Sequence, residues 1–258
     1  MERLEDFHDS EGRCFDGLTL EKKAHLLSRT RELTGISIEK MVESASFSLA
    51  MVIRYALGLS AKDGHLAVII KDSLVGAVAL AGARHLKNAG AIPTIYLLET
   101  PKSEAVLTEL KIHSFLETEI IPENLVKTEL ETRIISYHNV LLGMYDGIEI
   151  SPPLLPIIEL LNDVSTPIHC VDGPPGIHPD TGATSKDKIF ASSTLSLGAP
   201  FCGFKKAKEF VGRHYVCDLS IPKKLYKEVG HELNELFNSQ PVVQIFPLEE
   251  KSSDEDSE

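Results

Sequence analysis

The feature that most constrains the fold is a series of short, continuous apolar segments separated by helical patterns. These segments are apolar at nearly every position, which is typical of strands buried on both faces of a parallel sheet. They cover residues 66–71, 93–98, 140–146 and 167–172. Strands that alternate with helices predict an α/β fold, here a Rossmann-like, doubly wound, mostly parallel sheet with helices on both faces in three αβα layers.

The remaining elements follow from the same patterns. Further strands are expected at 118–122, 193–200, 214–222 and 242–246. Helices are expected at 20–33, 38–57, 74–90, 101–110, 123–137, 151–164 and 223–229. The first helix is predicted from the helical spacing of Leu20, Ala24, Leu27 and Leu33. Ser37 is the expected N-cap of the second helix.

The length of 258 residues fits one large α/β domain. We place it at 18–247, after an irregular segment at 1–17 and before an acidic tail at 248–258, which is expected to be disordered. The net charge is −12, and the last ten residues hold six acids against one lysine. Ser252 and Ser253 precede an acidic run, a pattern typical of acidophilic kinase substrates.

Composition excludes several classes of protein. The acidic balance argues against non-specific coating of nucleic acid, although a local basic patch stays open. An apolar stretch of about 18 residues, which a membrane helix needs, is not found. The four cysteines form no C-x-x-C pair and the histidines no metal motif, so no metal site is expected. Free thiols without an export signal favour a cytoplasmic location.

Three loops at the carboxyl ends of strands are where a ligand would bind in such a sheet. The loop after 66–71 needs glycines if backbone N–H groups are to hold a phosphate at the helix N-terminus. Only Gly76 and Gly82 are present, and we expect Gly82 to serve close helix–sheet packing. Leu74 and Val75 stand where polar or glycine residues would be needed, so a phosphate site here is disfavoured.

The second loop begins with Asp172, Gly173 and Gly176 after the strand 167–172. An acid at this place suits a general base or a ribose ligand. The alternative is that Asp172 caps its own turn by accepting backbone N–H groups. The sequence leaves both open, with capping favoured.

The third loop spans 197–204 and contains Gly198, where packing is the favoured role. Beyond it the cations Lys205, Lys206, Lys208 and Arg213 could form a patch for phosphate or RNA, together with lysines at 223–227. A solvated surface is the more common explanation of such charges.

The order of several motifs resembles the YjeF amino-terminal domain family over roughly residues 20–247. MVESA at 41–45 is similar to the family's MENAG helix, and ARHL at 83–86 to its post-loop helix. VDGPPGIHPDTGA at 171–183 resembles the family's VDIPSG loop, and LGAP at 197–200 its FGAPK segment. GRHYVCDLSIPKKLYKEVG at 212–230 resembles the branch found in the enhancer-of-mRNA-decapping scaffold.

The resemblance implies either of two activities. Members are NAD(P)H-hydrate epimerases, or serve as the dimerisation domain of the decapping scaffold. The family's active-site loop reads GNNGGDG, whereas this chain has SLVGAVA, so Leu74, Val75 and Val78 replace its cation and substrate contacts. Phe201 replaces the lysine of GAPK, and only Asp172 keeps its family position. Apolar side chains cannot coordinate a cation.

These departures favour a non-catalytic YjeF-type pseudoenzyme: a homodimer, formed through helices at 20–57, that binds RNA or mRNA-decay proteins in the cytoplasm, in P-bodies. No cofactor is expected in that case. The alternative is a divergent NAD(P)H-hydrate epimerase or a nucleotide sensor, with Asp172 as base and an NAD(P)H-like or ADP-ribose-like ligand. If Leu74, Val75 and Val78 pack in the core while backbone N–H groups face the cleft, nucleotide binding stays open.

Overall fold

The computed structural model describes residues 5–57, 62–145, 147–232 and 235–248. The acidic segment 249–258 lies outside the described residues, so the expectations for its disorder and for Ser252 and Ser253 stay predictions.

Within the described residues, ten strands form one sheet in the order β2-β1-β10-β9-β8-β7-β6-β3-β4-β5. The strands are β1 Phe7–Asp9, β2 Cys14–Phe15, β3 His65–Ile70, β4 Ile92–Leu97, β5 Glu119–Ile121, β6 Asn139–Gly143, β7 Ile168–Val171, β8 Ser193–Leu197, β9 Arg213–Cys217 and β10 Val242–Pro247. The strands β5, β4, β3, β6, β7, β8 and β9 run parallel. The mostly parallel, doubly wound sheet expected from the sequence is therefore confirmed.

The antiparallel end of the sheet differs from the sequence expectation. The segment 1–17 was expected to be irregular, but β1 pairs with β10 and β2 with β1. These two short strands cover the edge that β10 would otherwise leave unpaired. Their side chains Phe7 and Phe15 are buried. Alternation over so few residues gives little signal, which is why the sequence did not reveal the strands.

Helices cover both faces of the sheet, near the expected positions. They are α1 Leu20–Thr34, α2 Ile38–Met51, α3 Leu74–Asn88, α4 Glu104–Phe115, α5 Val126–Arg133, α6 Leu155–Asp163, α7 Lys208–Val211 and α8 Lys223–Glu228. Ser37 caps α2 by accepting from the Lys40 N–H at 3.4 Å, as expected. The helix α2 continues into a π-helical turn at Val52–Ala56. The short helix α7 and the 3₁₀ turn at Cys202–Ala207 were not predicted.

The buried face of α1 is not the one that apolar spacing indicated. Leu20 and Leu33 are more than half exposed, whereas Lys23, Leu26 and Thr30 are buried. The expected apolar face was wrong because one of the truly buried positions holds a lysine.

The strand β3 shows how the core is divided. Leu66, Val68 and Ile70 point into the cluster beneath α2 and α3, whereas Ala67 and Ile69 point into the cluster beneath α5 and α6. Successive side chains of a strand face opposite sides, so an apolar run throughout is what burial on both faces requires.

Close packing at the centre of the sheet depends on two glycines. A Cβ at Gly82 would approach Leu49 of α2 to 2.8 Å, so this residue serves helix–helix contact rather than the expected helix–sheet contact. A Cβ at Gly143, which ends β6, would lie 2.6 Å from the Cβ of Ala79 on α3. The first turns of α3 therefore lie directly against the end of β6, where the strand order reverses.

Two buried histidines, His169 of β7 and His214 of β9, lie within hydrogen-bond distance of polar side chains on neighbouring strands. His169 lies within hydrogen-bond distance of Ser193 Oγ (2.8 Å) and Asn139 Oδ1 (3.1 Å). His214 lies 2.8 Å from Ser196 Oγ. Burial lowers the pKa of His169 to about 4; burial, and then the charge of Lys23, lowers the pKa of His214 to about 3.

These pKa values predict acid sensitivity. Unfolded histidine titrates near pH 6.5, so below that pH the unfolded chain binds protons that the folded chain does not. The stabilisation is complete above pH 6.5 and falls by about 1.4 kcal/mol per histidine and pH unit as the pH drops towards 4. Urea unfolding between pH 7 and 5 should show this slope for His169 and His214 together, and His169→Gln should reduce it. A free energy of unfolding that is flat over this range would contradict the prediction.

Candidate functional site

The three loops singled out in the sequence follow β3, β7 and β8. They therefore lie at one edge of the sheet, beyond the carboxyl ends of the parallel strands. Asp172 follows β7, with φ +67°, a left-handed conformation that Asp adopts more readily than most residues. Its carboxylate accepts the N–H of Leu197 at 2.9 Å. That amide belongs to β8, so the carboxylate links the end of β7 to β8. The structure shows this contact in place of the capping of its own turn that the sequence favoured.

The second partner of Asp172 is a buried lysine that the sequence did not reveal. The Nζ of Lys23 donates to the Asp172 carboxylate and to the carbonyl oxygen of Ala199 at 2.8 Å. It also lies 4.2 Å from the ring centre of Phe201. Lys23 is 3% exposed and Asp172 is 9% exposed. Asp172, the acid that keeps its family position, therefore forms a buried ion pair with Lys23.

The chain before α1 forms a strap that holds Lys23 in place. We use strap for residues 16–23. The Leu18 N–H donates to Pro200 O at 2.8 Å, and the Cys202 N–H donates to Leu18 O at 3.0 Å. The Leu20 N–H donates to Asp180 Oδ1 at 2.7 Å. The strap is thus hydrogen-bonded to the loop after β7, at Asp180, and to the loop after β8, at Pro200 and Cys202.

Aromatic rings pack beside this ion pair. Tyr145, which follows β6, lies 5.5 Å from Phe201 and 6.1 Å from Phe204 between ring centres. Its hydroxyl donates to Ile177 O at 3.0 Å. A Cβ at Gly173 would meet the rings of Phe204 and Tyr145 at 2.6 and 2.8 Å. Burial, then the charges of Asp172 and Asp180, raises the pKa of Tyr145. The space next to Asp172 and Gly173 is filled by these rings.

The loop after β3 binds its own side chains at the positions where a phosphate would need donors. The Gly76 N–H donates to Ser73 Oγ at 3.2 Å. A Cβ at Gly76 would overlap the carbonyl oxygen of Lys71, so this glycine allows the tight turn into α3. Val75 and Val78 lie in the core, with Leu74 packed partly against it.

Negative charge also accumulates at this loop. The Asp72 carboxylate accepts the N–H groups of Lys102 and Ser103 and the Ser103 hydroxyl, and its own N–H donates to Glu99. Burial alone would raise the pKa of Asp72, but these hydrogen bonds hold it below its usual value. An ionised carboxylate next to the amino end of α3 disfavours a phosphate there.

The other glycines predicted to bind ligand have packing roles in the structure. A Cβ at Gly176 would approach the Cα of Lys188 to 2.6 Å. Gly198 has φ +72°, and its carbonyl oxygen accepts the Tyr226 hydroxyl at 3.1 Å. Their assignment to a ligand stays a prediction.

The predicted basic patch is divided over the surface. Lys205 pairs with Asp6 at 2.7 Å. Lys206 is exposed, and Lys208 and Arg213 are exposed at a cavity of about 240 Å³. Its apolar walls are Phe7, Phe204, Val211, Ile245, Phe246 and Pro247. We call Lys208 and Arg213 the cationic rim of this cavity.

In the described parts of the chain, His, Cys, Asp and Glu side chains form no group of three that could hold a metal ion. Across the same residues, none of the helices is long and apolar enough to cross a bilayer.

The doubly wound sheet with an acid at the end of β7 defines a Rossmann-like domain, a fold in which ligands bind beyond the carboxyl ends of the strands. The family model described as YjeF-related protein N-terminus matches residues 38–203. The chain therefore belongs to the YjeF amino-terminal domain family.

Relatives fall into two functional groups. The chain is 25% identical to the NAD(P)H-hydrate epimerase of Paramecium tetraurelia, over 84% of this chain and 90% of that enzyme. It is 27% identical to the bifunctional NAD(P)H-hydrate repair enzyme of Thermofilum pendens, over 76% of this chain but 38% of that enzyme. It is also 25% identical to enhancer of mRNA-decapping protein 3 of Xenopus laevis, over 91% of this chain and 47% of that protein. The chain thus spans less than half of the last two proteins.

The fold is shared with a solved structure. The crystal structure of the yeast protein ynu0 matches with a TM-score of 0.73 and 21% identity, over 93% of this chain and 98% of that one. The similarity confirms the expected architecture.

The buried pair predicts large, coupled effects on stability. Lys23→Met leaves the Asp172 carboxylate buried without its cation and should lower the free energy of unfolding by about 3 kcal/mol. Asp172→Asn keeps an oxygen for the Leu197 N–H but leaves Lys23 uncompensated, and should cost a similar amount. The double variant should lose less than the sum of the two. Urea unfolding measures all three.

The matched control is Lys22→Met, which alters the neighbouring lysine of α1. Lys22 is only half-buried, so its loss should cost less than about 1 kcal/mol. Equal losses for Lys22→Met and Lys23→Met, or strict additivity of the Lys23 and Asp172 variants, would contradict the assigned role of the pair.

Proposed function

We propose that this chain is a non-catalytic dimerisation and binding module of the YjeF type, acting in mRNA decay through contacts with RNA or protein. The observation that carries the proposal is the buried contact between Lys23 and Asp172. A general base must reach the proton that it abstracts. Asp172 instead faces the ammonium of Lys23, under a strap that is hydrogen-bonded on both sides.

Electrostatics at the crevice supports the same proposal. A nicotinamide nucleotide carries phosphates, which favour backbone donors and cations. Here the Gly76 N–H is capped by Ser73, and Asp72 and Glu99 add negative charge. Most of the rate of an epimerase would come from positioning and electrostatic stabilisation, which these groups oppose.

The module's dimer surface is an apolar stripe along α2 and the π-helical turn that follows it. We define the α2 stripe as Phe47 and Met51 of α2 together with Tyr55 of the π-helical turn, which recur every four residues and are 52%, 38% and 64% exposed. Residues four apart lie on one helix face. Two copies that meet through this face around a two-fold axis would bury the stripe against itself. The proposed interface lies within the helices at 20–57, where the sequence led us to expect it.

RNA or another anionic partner would bind the cations Lys206, Lys208 and Arg213. The chain is acidic overall, with net charge −12, so such binding must be local and strongly salt-dependent. The Xenopus relative supports mRNA decay as the setting.

The proposal predicts that nicotinamide nucleotides do not bind. A ligand at 100 times its Kd stabilises the folded state by about 2.7 kcal/mol, which shifts Tm by about 5 °C or more in a chain of this size. Thermal unfolding with about 1 mM NADH, NADH-hydrate or ADP-ribose should show no such shift. An epimerase assay, with the Paramecium enzyme as positive control, should show no turnover.

The alternative of an epimerase or a nucleotide sensor makes the opposite prediction. Val75 and Val78 pack in the core, which leaves the neighbouring backbone available in principle. A Tm shift with nucleotide that disappears in Asp172→Asn would establish this alternative. Turnover in addition would make the chain an enzyme.

The dimer surface predicts a change of mass in solution. The wild-type chain should elute in size-exclusion chromatography with light scattering at about twice its 28.4 kDa. The double variant Met51→Glu and Tyr55→Glu should be monomeric, because like charges would face each other across the axis. Phe115→Glu is the matched control, since Phe115 is 87% exposed on α4 outside the stripe. A dimer that survives the double variant, or a monomeric wild type, would refute this interface.

A further inference from the structure

The strand β10 ends beside the cationic rim. His214 of β9 pairs with Ile245 of β10, which places Arg213 alongside Phe246. The Leu248 N–H then donates to Asp6 O at 3.0 Å. The last described residue is therefore only two positions beyond Phe246, at the wall of the cavity.

The segment that follows has the opposite charge. Residues 249–258, EEKSSDEDSE, contain six acids and one lysine, and hold no apolar side chain that would need a core. We call this segment the acidic tail. Residues in an extended chain span about 3.3 Å each, so the tail's ten residues can reach about 33 Å from Leu248. Lys208 and Arg213, which share the cavity with Pro247, lie well inside that reach.

We propose that the acidic tail binds in cis to the cationic rim formed by Lys208 and Arg213, with Lys206 beside it. Surface charge pairs are weak one by one. A tether as short as this one, however, holds the tail carboxylates at an effective concentration of about millimolar near the rim. Several weak pairs then act together, because each pair that forms holds the remaining tail carboxylates near the rim.

The local charges define what the tail meets. Asp6 lies beside the point where the tail begins, because its carbonyl oxygen accepts the Leu248 N–H and its carboxylate pairs with Lys205 at 2.7 Å. Glu209 is exposed on α7, but it does not line the cavity. Lys208 and Arg213 both line the cavity.

The tail consequently competes with anionic partners of the rim. This consequence for RNA rests on the proposed function, whereas the binding of the tail does not. A tail that occupies Lys208 and Arg213 must be displaced before a phosphate backbone can bind there, so it acts as an intramolecular competitor.

Zero-length carbodiimide cross-linking of the full chain tests the proposal, followed by peptide mass spectrometry. Cross-links should join tail carboxylates to Lys206 or Lys208 and not to Lys111, an exposed lysine on α4. In a mixture of ¹⁵N-labelled and unlabelled protein, linked peptides should carry one label, which shows that the contact forms in cis. Arg213→Gln should lower the yield several-fold, and Arg31→Gln on α1 should leave it unchanged.

Equal cross-linking to Lys111, mixed labels, or a yield that Arg213→Gln does not change would each overturn the proposal. A parallel measurement separates it from the RNA contact. Fluorescence anisotropy with short poly(U) should show tighter binding, by about tenfold, when the six tail acids are replaced by their amides. If poly(U) binds neither form while the cross-links are present, the RNA proposal fails and the tail contact stands.

Discussion

The contact between the ammonium of Lys23 and the carboxylate of Asp172 is the interaction on which the carboxyl edge of the sheet depends. It joins α1 to the end of β7, and the carbonyl of Ala199 and the amide of Leu197 bring in β8. Two charges taken out of water are costly unless each satisfies the other and their remaining hydrogen bonds. Here both conditions hold, so removal of either partner would leave the other charge buried and uncompensated.

Other groups at this edge of the sheet are also bound within the protein. The Gly76 N–H of α3 donates to Ser73 Oγ, and the Asp72 carboxylate accepts N–H groups from the turn before α4. The rings of Tyr145 and Phe201 lie 5.5 Å apart, and the Tyr145 ring packs against Gly173. Side chains that satisfy one another within a site leave fewer groups for a ligand, and a fold does not by itself determine a chemistry.

The sequence was sufficient for the parallel sheet, since β3, β4, β6 and β7 are apolar at nearly every position, as strands buried on both faces are. The sequence also showed that Leu74, Val75 and Val78 stand where the family has its polar loop residues. It did not reveal Lys23, because a lysine on a helix is ordinarily taken as exposed. Its spacing of three residues to Leu26 and seven to Thr30 was the available signal. The strands β1 and β2 were too short to show alternation. The walls of the cavity at Lys208 and Arg213 come from β1, β9, β10, α7 and the 3₁₀ turn before it, which only tertiary structure brings together.

The central claim is that Asp172 is committed to Lys23 and takes no substrate. A crystal structure of the protein grown with excess NADH-hydrate tests this most directly. The account predicts that the crevice holds no nucleotide, with Lys23 Nζ on Asp172 and the Tyr145 and Phe201 rings in contact. Nucleotide density beside Asp172, with Lys23 displaced from the carboxylate, would contradict it.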